Sequence, residues 1–262
     1  MALPPALAPL VEAPGESVLA TDFDGTLSPI VDDPATAEAL PAARDALTAL
    51  VPRMKQVAVI SGRPIQFLLD RLPVDGLVLV GQYGLEWSND GRTIEVDDRV
   101  APYLDAVATA AREAQERFAG LHIERKGVLA FTVHWRTTPH LEPAPGALEE
   151  LAARHGLTVY RGRKSGELRP PIPVNKGTAF RMVRPDEPNG RRAAFAGDDR
   201  GDLDVFDALD TVQREGGQVA RIAVRSAEAP RALLERADVV VDGPTGLAAL
   251  LTQLAEEISS PG

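Results

Sequence analysis

The sequence predicts an α/β protein with a parallel sheet and an inserted α+β region. Short apolar runs rich in β-branched residues alternate with helical patterns, which is typical of strands joined by crossover helices. This alternation breaks between about Pro102 and Pro173, where a long helical pattern and a hairpin-like run replace it. We therefore expect a core formed by residues 1–102 and 174–262 and an insertion formed by residues 103–173. A chain of 262 residues is long enough for both.

Four predicted core strands each end in a polar motif. The strands cover residues 18–22, 56–60, 77–80 and 192–196, and the motifs are Asp22, Ser61-Gly62-Arg63, Gly81-Gln82-Tyr83-Gly84 and Gly197-Asp198-Asp199. Ligands bind at the carboxyl edge of open α/β sheets, so we expect these distant motifs to meet there. The other predicted core elements are strands at 219–224 and 238–241 and helices at 42–50, 65–71, 202–209 and 247–257.

The insertion is predicted to have secondary structure of its own. Its expected elements are helices at 103–118 and 146–155, a hairpin at 122–136 and strands at 157–161 and 166–169. Alternation along 131–136 makes one face of that strand apolar and places Thr132, His134 and Arg136 on the other. Further polar groups are Lys126, Lys164, Glu167 and Arg169. From the pattern alone, this face either binds a polar ligand or is an ordinary solvated sheet face.

Asp22 and Asp24 lie two residues apart where a buried strand meets a loop. Residues i and i+2 of a strand point to one side, so the two carboxylates can share a Mg²⁺ while one of them attacks phosphorus. The same pair also occurs in metal-dependent glycosyltransferases and in calcium loops. An EF-hand loop would need an acid at Ala20 and a glutamate at Val31, and the sequence has neither.

Composition excludes several functional classes. The net charge of −10 argues against a nucleic-acid partner, which favours a basic stripe. The lack of cysteine excludes disulfides, thiolate metal sites and thiol nucleophiles. No apolar stretch is long enough for a membrane span, and the proline-interrupted residues 1–10 are expected to form a tail rather than a signal peptide. We therefore expect a cytoplasmic protein.

In their order along the chain, the motifs resemble those of the haloacid-dehalogenase-like (HAD) phosphatase superfamily. This resemblance covers most of the chain and implies a Rossmann-like HAD core with an inserted α+β cap. A narrower set looks like the motifs of trehalose-6-phosphate phosphatases. Its members are Asp22-Phe-Asp-Gly-Thr-Leu-Ser-Pro-Ile30, Ser61-Gly-Arg63, Glu124-Arg-Lys-Gly127, His134-Trp-Arg136, Glu167-Leu-Arg-Pro170, Asn175-Lys-Gly177 and Gly197-Asp-Asp-Arg200.

The resemblance implies a catalytic role for four core residues. Asp22 is the expected nucleophile, which forms an aspartyl-phosphate, and Asp24 is the expected general acid and base. Ser61, with the N–H groups that follow it in Gly62 and Arg63, is expected to bind phosphoryl oxygens. Lys176 is expected to neutralise charge on the transferring group and to hold the nucleophile.

The resemblance also implies a Mg²⁺ cofactor. Its expected ligands are Asp22, Asp24 and Asp198, with Asp199 and Asp202 as auxiliary or outer ligands. The sequence departs from the family pattern at Gly201 and Leu203, where Thr and Glu would stand, and at Tyr83, where His is common. Tyr83 keeps a hydroxyl that can contact substrate.

The expected activity is hydrolysis of trehalose 6-phosphate, with the cap reading the sugar through Lys126, Lys164 and Glu167 above all. The expected partner is a small sugar phosphate, and a trehalose-6-phosphate synthase belongs to the same pathway. One alternative is another HAD phosphatase, acting on sucrose 6-phosphate or mannosyl-3-phosphoglycerate. Another is a non-catalytic sugar-phosphate sensor, which the intact set of catalytic residues argues against.

Overall fold

The computed structural model describes residues 3–162, 164–184, 191–227 and 229–259. The chain divides into two compact units. The core unit comprises Met1–Glu95 and Val174–Gly262, and the inserted unit comprises Val96–Pro173. As predicted, the fold class is α/β, with a largely parallel sheet.

The strands and helices are numbered in chain order. The strands are β1 (Ser17–Thr21), β2 (Gln56–Ile60), β3 (Val78–Gly81), β4 (Glu86–Ser88), β5 (Glu95–Val96), β6 (His122–Lys126), β7 (Ala130–His134), β8 (Thr158–Gly162), β9 (Ser165–Arg169), β10 (Arg192–Gly197), β11 (Gln218–Arg225) and β12 (Val239–Asp242). The α-helices are α1 (Ala8–Glu12), α2 (Pro41–Leu50), α3 (Ile65–Arg71), α4 (Leu104–Arg117), α5 (Ala147–Arg154), α6 (Lys176–Val183), α7 (Leu203–Arg214), α8 (Arg231–Arg236) and α9 (Gly243–Ser259).

In the core sheet, the chain adds its first strands on one side of β1 and its later strands on the other side. Its order is β12-β11-β10-β1-β2-β3-β4-β5, and the strands from β12 to β3 are parallel, whereas β4 runs antiparallel to β3. From β1 the chain adds β2 and β3 on one side, then returns to the other side of β1 with β10, β11 and β12. Such a reversal creates a crevice at the carboxyl ends of the two strands beside it, here β1 and β10.

Both faces of this sheet are buried, which explains the nearly continuous apolar runs of its strands. Leu19 of β1 packs in a cluster with Leu47 of α2 on one face. The next residue, Ala20, belongs to the cluster on the opposite face, with Phe180 of α6 and Phe206 of α7. The polar motifs at the strand ends of the core therefore project from a sheet that is packed on both faces.

The inserted unit has a four-stranded antiparallel sheet in the order β6-β7-β9-β8. Its apolar face carries Phe131, Val133 and Leu168, which pack with Val107 of α4 and Leu151 of α5. As the alternation predicts, Thr132 lies on the other face, in one row with Glu124 and Glu167 of the adjoining strands.

The predicted core strands and helices are present, with shifts at their ends, but two predictions were wrong. The strand expected over 131–136 ends at His134, so Arg136 lies outside the alternating pattern. Residues 3–10 do not form a loose tail, because Leu7 and Leu10 are fully buried in the main core cluster. None of the helices in the described part of the chain has the length and apolarity to span a bilayer.

Candidate active site

Asp22 and Asp198 meet at the switch point of the sheet. Thr21 pairs with Ala196, and the N–H of Asp22 donates to the carbonyl oxygen of Ala196 at 2.8 Å. Each carboxylate follows directly after its strand, and both side chains are buried. Neighbouring parallel strands thus bring together two residues that are far apart in sequence.

The loop after β1 is seated closely on Asp198. Gly25 has a φ of +72°, and a Cβ atom at that position would lie 2.1 Å from Oδ2 of Asp198. Glycine is therefore required there both for the left-handed backbone and for the close approach. Thr26 Oγ1 donates to Oδ1 of Asp198 at 3.0 Å, which fixes the orientation of that carboxylate.

Lys176 lies at the beginning of α6 and contacts three carboxylates. The helix begins there because Asn175 and Thr178 form a capping box. The ammonium lies 2.9 Å from Asp22 Oδ2, 2.8 Å from Asp202 Oδ1 and 3.2 Å from Asp199 Oδ1. The contact with Asp22 agrees with the expectation that this lysine holds the nucleophile.

Asp202 organises the loop that carries Asp198 and Asp199. Its Oδ2 accepts the backbone N–H groups of Asp198 at 2.8 Å and of Asp199 at 2.9 Å, while Oδ1 accepts from Lys176. Asp199 in turn accepts the N–H of Asp202 at 3.1 Å. Both oxygens of this fully buried carboxylate therefore have partners within the protein.

Asp24 is paired with Arg63. The guanidinium donates from Nε to Oδ2 at 2.8 Å and from Nη2 to Oδ1 at 2.7 Å, in the two-pronged geometry that holds a carboxylate most firmly. The structure therefore brings Arg63 to the expected acid and base. Sequence reasoning had assigned this arginine to the substrate.

The Ser61-Gly62-Arg63 loop is held by the segment that follows β3. Ser61 is buried, and its Oγ accepts the N–H of Arg63 at 3.2 Å. Gln82 and Tyr83 have left-handed φ angles of 50° and 61°, and their N–H groups donate to the carbonyl oxygens of Arg63 and Ser61. The Tyr83 hydroxyl lies so close to Gly62 that a Cβ there would be 2.5 Å away. Such strained backbone is characteristic of functional loops.

Burial and mutual repulsion raise the pKa values of several carboxyl groups in the site. Burial raises the pKa of Asp22 well above its usual value, and Lys176 opposes this rise. Burial, with the charge of Asp199, raises the pKa of Asp198 to about 6. Burial raises the pKa of Asp202 to about 7. The pKa of Lys176 is raised well above its usual value, since its aspartate neighbours outweigh the effect of burial.

This arrangement fits a divalent cation. Ligand atoms of Asp22, Asp198 and Asp202 all lie within 4.8 Å of one another. Hard carboxylate oxygens are the ligands that Mg²⁺ prefers, and the aspartates around Lys176 carry more negative charge than one ammonium balances. The side chain of Asp24, the third expected ligand, is bonded instead to Arg63.

The inserted sheet has a polar network on its second face. Lys126 Nζ lies 2.6 Å from Glu167 Oε2, and His134 Nε2 lies 2.8 Å from Glu124 Oε2. Arg169 lies over the ring of Tyr160, with its Cζ 3.6 Å from the ring centroid. Lys164 lies in the β8–β9 turn with a φ of 55°, and Arg136 follows the end of β7.

Sequence reasoning missed several residues that shape the core site. Thr26 lies within the Asp22–Ile30 motif but was given no role, because its bond to Asp198 depends on the approach of two distant strands. Glu86 is buried and accepts the N–H of Ile65 at the beginning of α3. An acid between Leu85 and Trp87 in a short apolar run is a signal that could have singled it out.

The sheet order and the carboxylates at its carboxyl edge define the fold of a haloacid-dehalogenase-like hydrolase. More narrowly, the chain belongs to the trehalose-phosphatase family, whose family model matches residues 20–237. This result confirms the resemblance drawn from the motifs.

Curated proteins with similar sequences support this family assignment. An uncharacterized glycosyl hydrolase of Mycobacterium tuberculosis is 37% identical over 199 residues, which cover 72% of this chain and 15% of that protein. A trehalose-phosphate phosphatase of the same species is 32% identical over 197 residues, which cover 72% of this chain and 50% of that protein. The chain thus spans half or less of the length of these curated relatives.

A solved structure is similar over nearly its whole length. The crystal structure of a trehalose-6-phosphate phosphatase related protein superposes with a TM-score of 0.71 at 27% identity. The match covers 91% of this chain and 97% of that chain.

Proposed function

We propose that this protein is a Mg²⁺-dependent phosphatase that hydrolyses trehalose 6-phosphate to trehalose and inorganic phosphate. The observation that carries the proposal is the buried carboxylate of Asp22, held by Lys176 at 2.9 Å beside Asp198 at the switch point of the sheet. A protein that only senses sugar phosphates has no need for a nucleophile held in this way. Membership of the trehalose-phosphatase family supports the choice of substrate.

In the first step, Asp22 attacks the phosphorus atom. A bond forms between its carboxylate oxygen and phosphorus, and the bond from phosphorus to the sugar oxygen breaks. Asp24 gives a proton to the departing sugar oxygen. Lys176 stabilises the negative charge that is shared between Asp22 and the phosphoryl group.

In the second step, water hydrolyses the aspartyl-phosphate. Asp24 takes a proton from this water as its oxygen attacks phosphorus, and the bond to Asp22 breaks. Phosphate leaves, and the carboxylate of Asp22 is restored. In the resting site Arg63 orients Asp24 as a carboxylate through two hydrogen bonds, the form that acts as base in this step. The proton that Asp24 gives to the sugar oxygen in the first step is taken up from solvent before that step.

We propose that Asp22 and Asp198 hold the Mg²⁺. When bound, the cation supplies positive charge that lowers the repulsion between the nucleophile and the phosphoryl oxygens. Asp202 keeps the loop of Asp198 in place through its bonds to two backbone N–H groups, and Asp199 is an auxiliary ligand candidate.

We further propose that the polar face of the inserted sheet binds the sugar hydroxyls. Oγ1 of Thr132 and Oε1 of Glu167 are buried, and neither has a hydrogen-bond partner in the described part of the chain. Buried polar atoms in this state are suited to a ligand that supplies donors and acceptors. Lys126, His134, Lys164 and Arg169 are further candidates on this unit, and Arg136 is one beyond the end of β7.

Phosphate release from a panel of substrates tests the proposal. The panel contains trehalose 6-phosphate, sucrose 6-phosphate, mannosyl-3-phosphoglycerate and glucose 6-phosphate, each with Mg²⁺ and with a chelator. We expect the highest kcat/KM for trehalose 6-phosphate and loss of turnover on chelation. A higher kcat/KM for another sugar phosphate would show that this compound is the substrate instead. Tight binding without turnover would show that the protein is a sensor. The pathway partner we propose is a trehalose-6-phosphate synthase that supplies the substrate.

A further inference from the structure

Phe67 of α3 lies against the side chains of two arginines. The Cζ atom of Arg63 lies 4.5 Å from the centroid of the Phe67 ring, and that of Arg71 lies 4.3 Å from it. The ring also meets Phe23 edge to face, with centroids 5.7 Å apart and an interplanar angle of 90°. Phe23 stands between Asp22 and Asp24 in the sequence. Phe67 therefore links the catalytic strand end to the arginine that holds Asp24.

The contact with the Phe67 ring restricts the Arg63 side chain to fewer rotamers. An arginine side chain has many rotamers, and fixing it costs conformational entropy. The Arg63 guanidinium donates to both oxygens of Asp24 from Nε and Nη2, while its Cζ atom lies over the Phe67 ring. An aromatic face attracts a cation and is flat like the guanidinium, so it favours the orientation that the two-pronged pair requires.

Arg71, the second arginine over the Phe67 ring, is hydrogen-bonded to the backbone. Its Nη2 donates to the carbonyl oxygen of Ala35 at 2.8 Å, and its Nε donates to that of Ala37 at 3.3 Å. The second guanidinium over the ring is therefore anchored to backbone, and it also lies 3.5 Å from Oε1 of the exposed Glu38. This anchoring restricts the Phe67 ring to its place beside Arg63.

We propose that Phe67 is a positioning residue: its ring, steadied by Arg71, holds the Arg63 guanidinium in the orientation that aligns Asp24 for proton transfer. The catalytic part of this inference rests on the proposed role of Asp24 as general acid and base. The alternative role for Phe67 is apolar packing alone, which a leucine of similar bulk would also provide.

The first experiment requires no activity. In ¹H–¹⁵N spectra of the full chain, the Arg63 Nε–H signal is assigned by its loss in Arg63→Lys, and its exchange with water is measured. We expect Phe67→Leu to shift this signal and speed its exchange about tenfold, while Phe67→Tyr, which keeps the ring, leaves both near wild type. An unchanged signal and exchange rate in a folded Phe67→Leu would overturn the positioning role.

The second experiment uses the leaving group as the readout. Proton donation matters for a sugar alcohol and much less for p-nitrophenolate. We expect Phe67→Leu to lower kcat/KM on trehalose 6-phosphate about tenfold, with a much smaller loss of kcat/KM on p-nitrophenyl phosphate, because kcat/KM reports the step in which the leaving group departs and not the later hydrolysis that both substrates share. In an Asp24→Asn background the same change should cost almost nothing more, because it acts through Asp24. Equal losses on both substrates, or additive losses in the double variant, would contradict the inference.

A matched control is available at Phe118. Arg117 lies over its ring, with Cζ 5.7 Å from the centroid, but Arg117 pairs with Glu150 and no catalytic candidate. Phe118→Leu removes the same kind of contact and should leave both substrates unaffected. If wild type hydrolyses neither substrate, the proposed function fails, while the Arg63 signal still decides whether Phe67 positions this side chain.

Discussion

Lys176 illustrates how single residues define the site. The buried ammonium of Lys176 lies beside the buried carboxylates of Asp22 and Asp202 and the exposed carboxylate of Asp199, and the opposite charges make the burial of the first three groups tolerable. The position of Lys176 depends on Gly177, where a Cβ atom would lie 2.3 Å from the carbonyl oxygen of Asp204. The proposed nucleophile Asp22 is thus held by Lys176, and Lys176 is in turn positioned by the close packing at Gly177.

Asp22→Asn separates chemistry from structure at the residue scale. The amide keeps the shape and an acceptor for Lys176, and it removes one of several mutually repelling carboxylates. We expect turnover to fall by at least about a thousandfold, because an amide cannot form the aspartyl-phosphate, while the Tm stays the same or rises. Phosphate release and thermal unfolding measure the two effects, and substantial residual turnover would refute the nucleophile assignment.

At the scale of elements, the site is built from the ends of strands and the beginnings of helices. β1 and β10 place Asp22 and Asp198, and the beginning of α6 supplies Lys176. α3 begins behind the Ser61 loop, with Glu86 accepting its first N–H group. Small shifts of whole elements therefore translate directly into shifts of catalytic atoms.

Gly177→Ala tests the packing of α6 against α7. The added methyl group would clash with the backbone of Asp204, so one helix must move. We expect the free energy of unfolding to fall by about 1–3 kcal/mol. Because Lys176 moves with its helix, we expect kcat to fall by a larger factor than in the control variant described below. Urea unfolding and kcat measure the two effects. Ala179, two residues further along the same helix, gives a control in Ala179→Gly, which should reduce stability and affect turnover less.

Glu86 gives the fold a defined pH dependence. Burial raises the pKa of its carboxyl group above the usual 4.5, and the bond from Ile65 N–H opposes this rise. The folded protein therefore holds this proton more tightly than the unfolded chain, so ionisation costs stability as pH rises from 4.5 through the folded-state pKa. Below that window the contribution is absent, and above it the cost is constant.

Glu86→Gln should remove this dependence, since the amide keeps an acceptor for Ile65 N–H without a charge. We expect the stability of the variant relative to wild type to improve as the pH rises above 4.5 and then to level off above the folded-state pKa of Glu86. Urea unfolding across this range measures the difference. A difference that does not vary with pH would show that Glu86 titrates alike in both states.

For the whole molecule, the two units suggest a division of labour between chemistry and sugar recognition. Each unit has its own sheet and its own apolar cluster, so each can be altered separately. The catalytic candidates belong to the core unit, and the inserted unit holds the buried oxygen atoms of Thr132 and Glu167 that have no hydrogen-bond partner in the described residues.

Glu167→Ala tests this division. If Glu167 binds sugar hydroxyls, kcat/KM for trehalose 6-phosphate should fall by about a hundredfold or more, because binding energy from remote groups helps to position the reacting centre. Hydrolysis of a small aryl phosphate should fall far less, since Asp22, Asp24 and Lys176 are untouched. Both values are measured at saturating Mg²⁺ on variant protein shown to be folded. Equal proportional losses would count against a role in sugar recognition.

Much of this architecture was predictable from the sequence. The strand ends of the core could be read because apolar runs stop abruptly at polar motifs, as at Asp22 and Ser61. The helix α6 was missed although Asn175 and Thr178 mark its beginning, because its apolar positions are few. The pairing of Arg63 with Asp24 was not predictable, since it depends on how two loops approach in three dimensions.

The pairing of β1 with β10 also has a consequence for the synthesis of the chain. Ser17 pairs with Arg192, so one side of β1 stays unpaired until β10 has left the ribosome. The four strands of the inserted unit, by contrast, pair among residues 122–169 and can close earlier. During translation, the middle of the chain can therefore fold before the sheet that surrounds it in sequence. The cluster of Asp22, Asp198 and Asp202, the candidate site for a divalent cation, is therefore complete only after Asp198 and Asp202 have emerged, when the inserted sheet can already be folded.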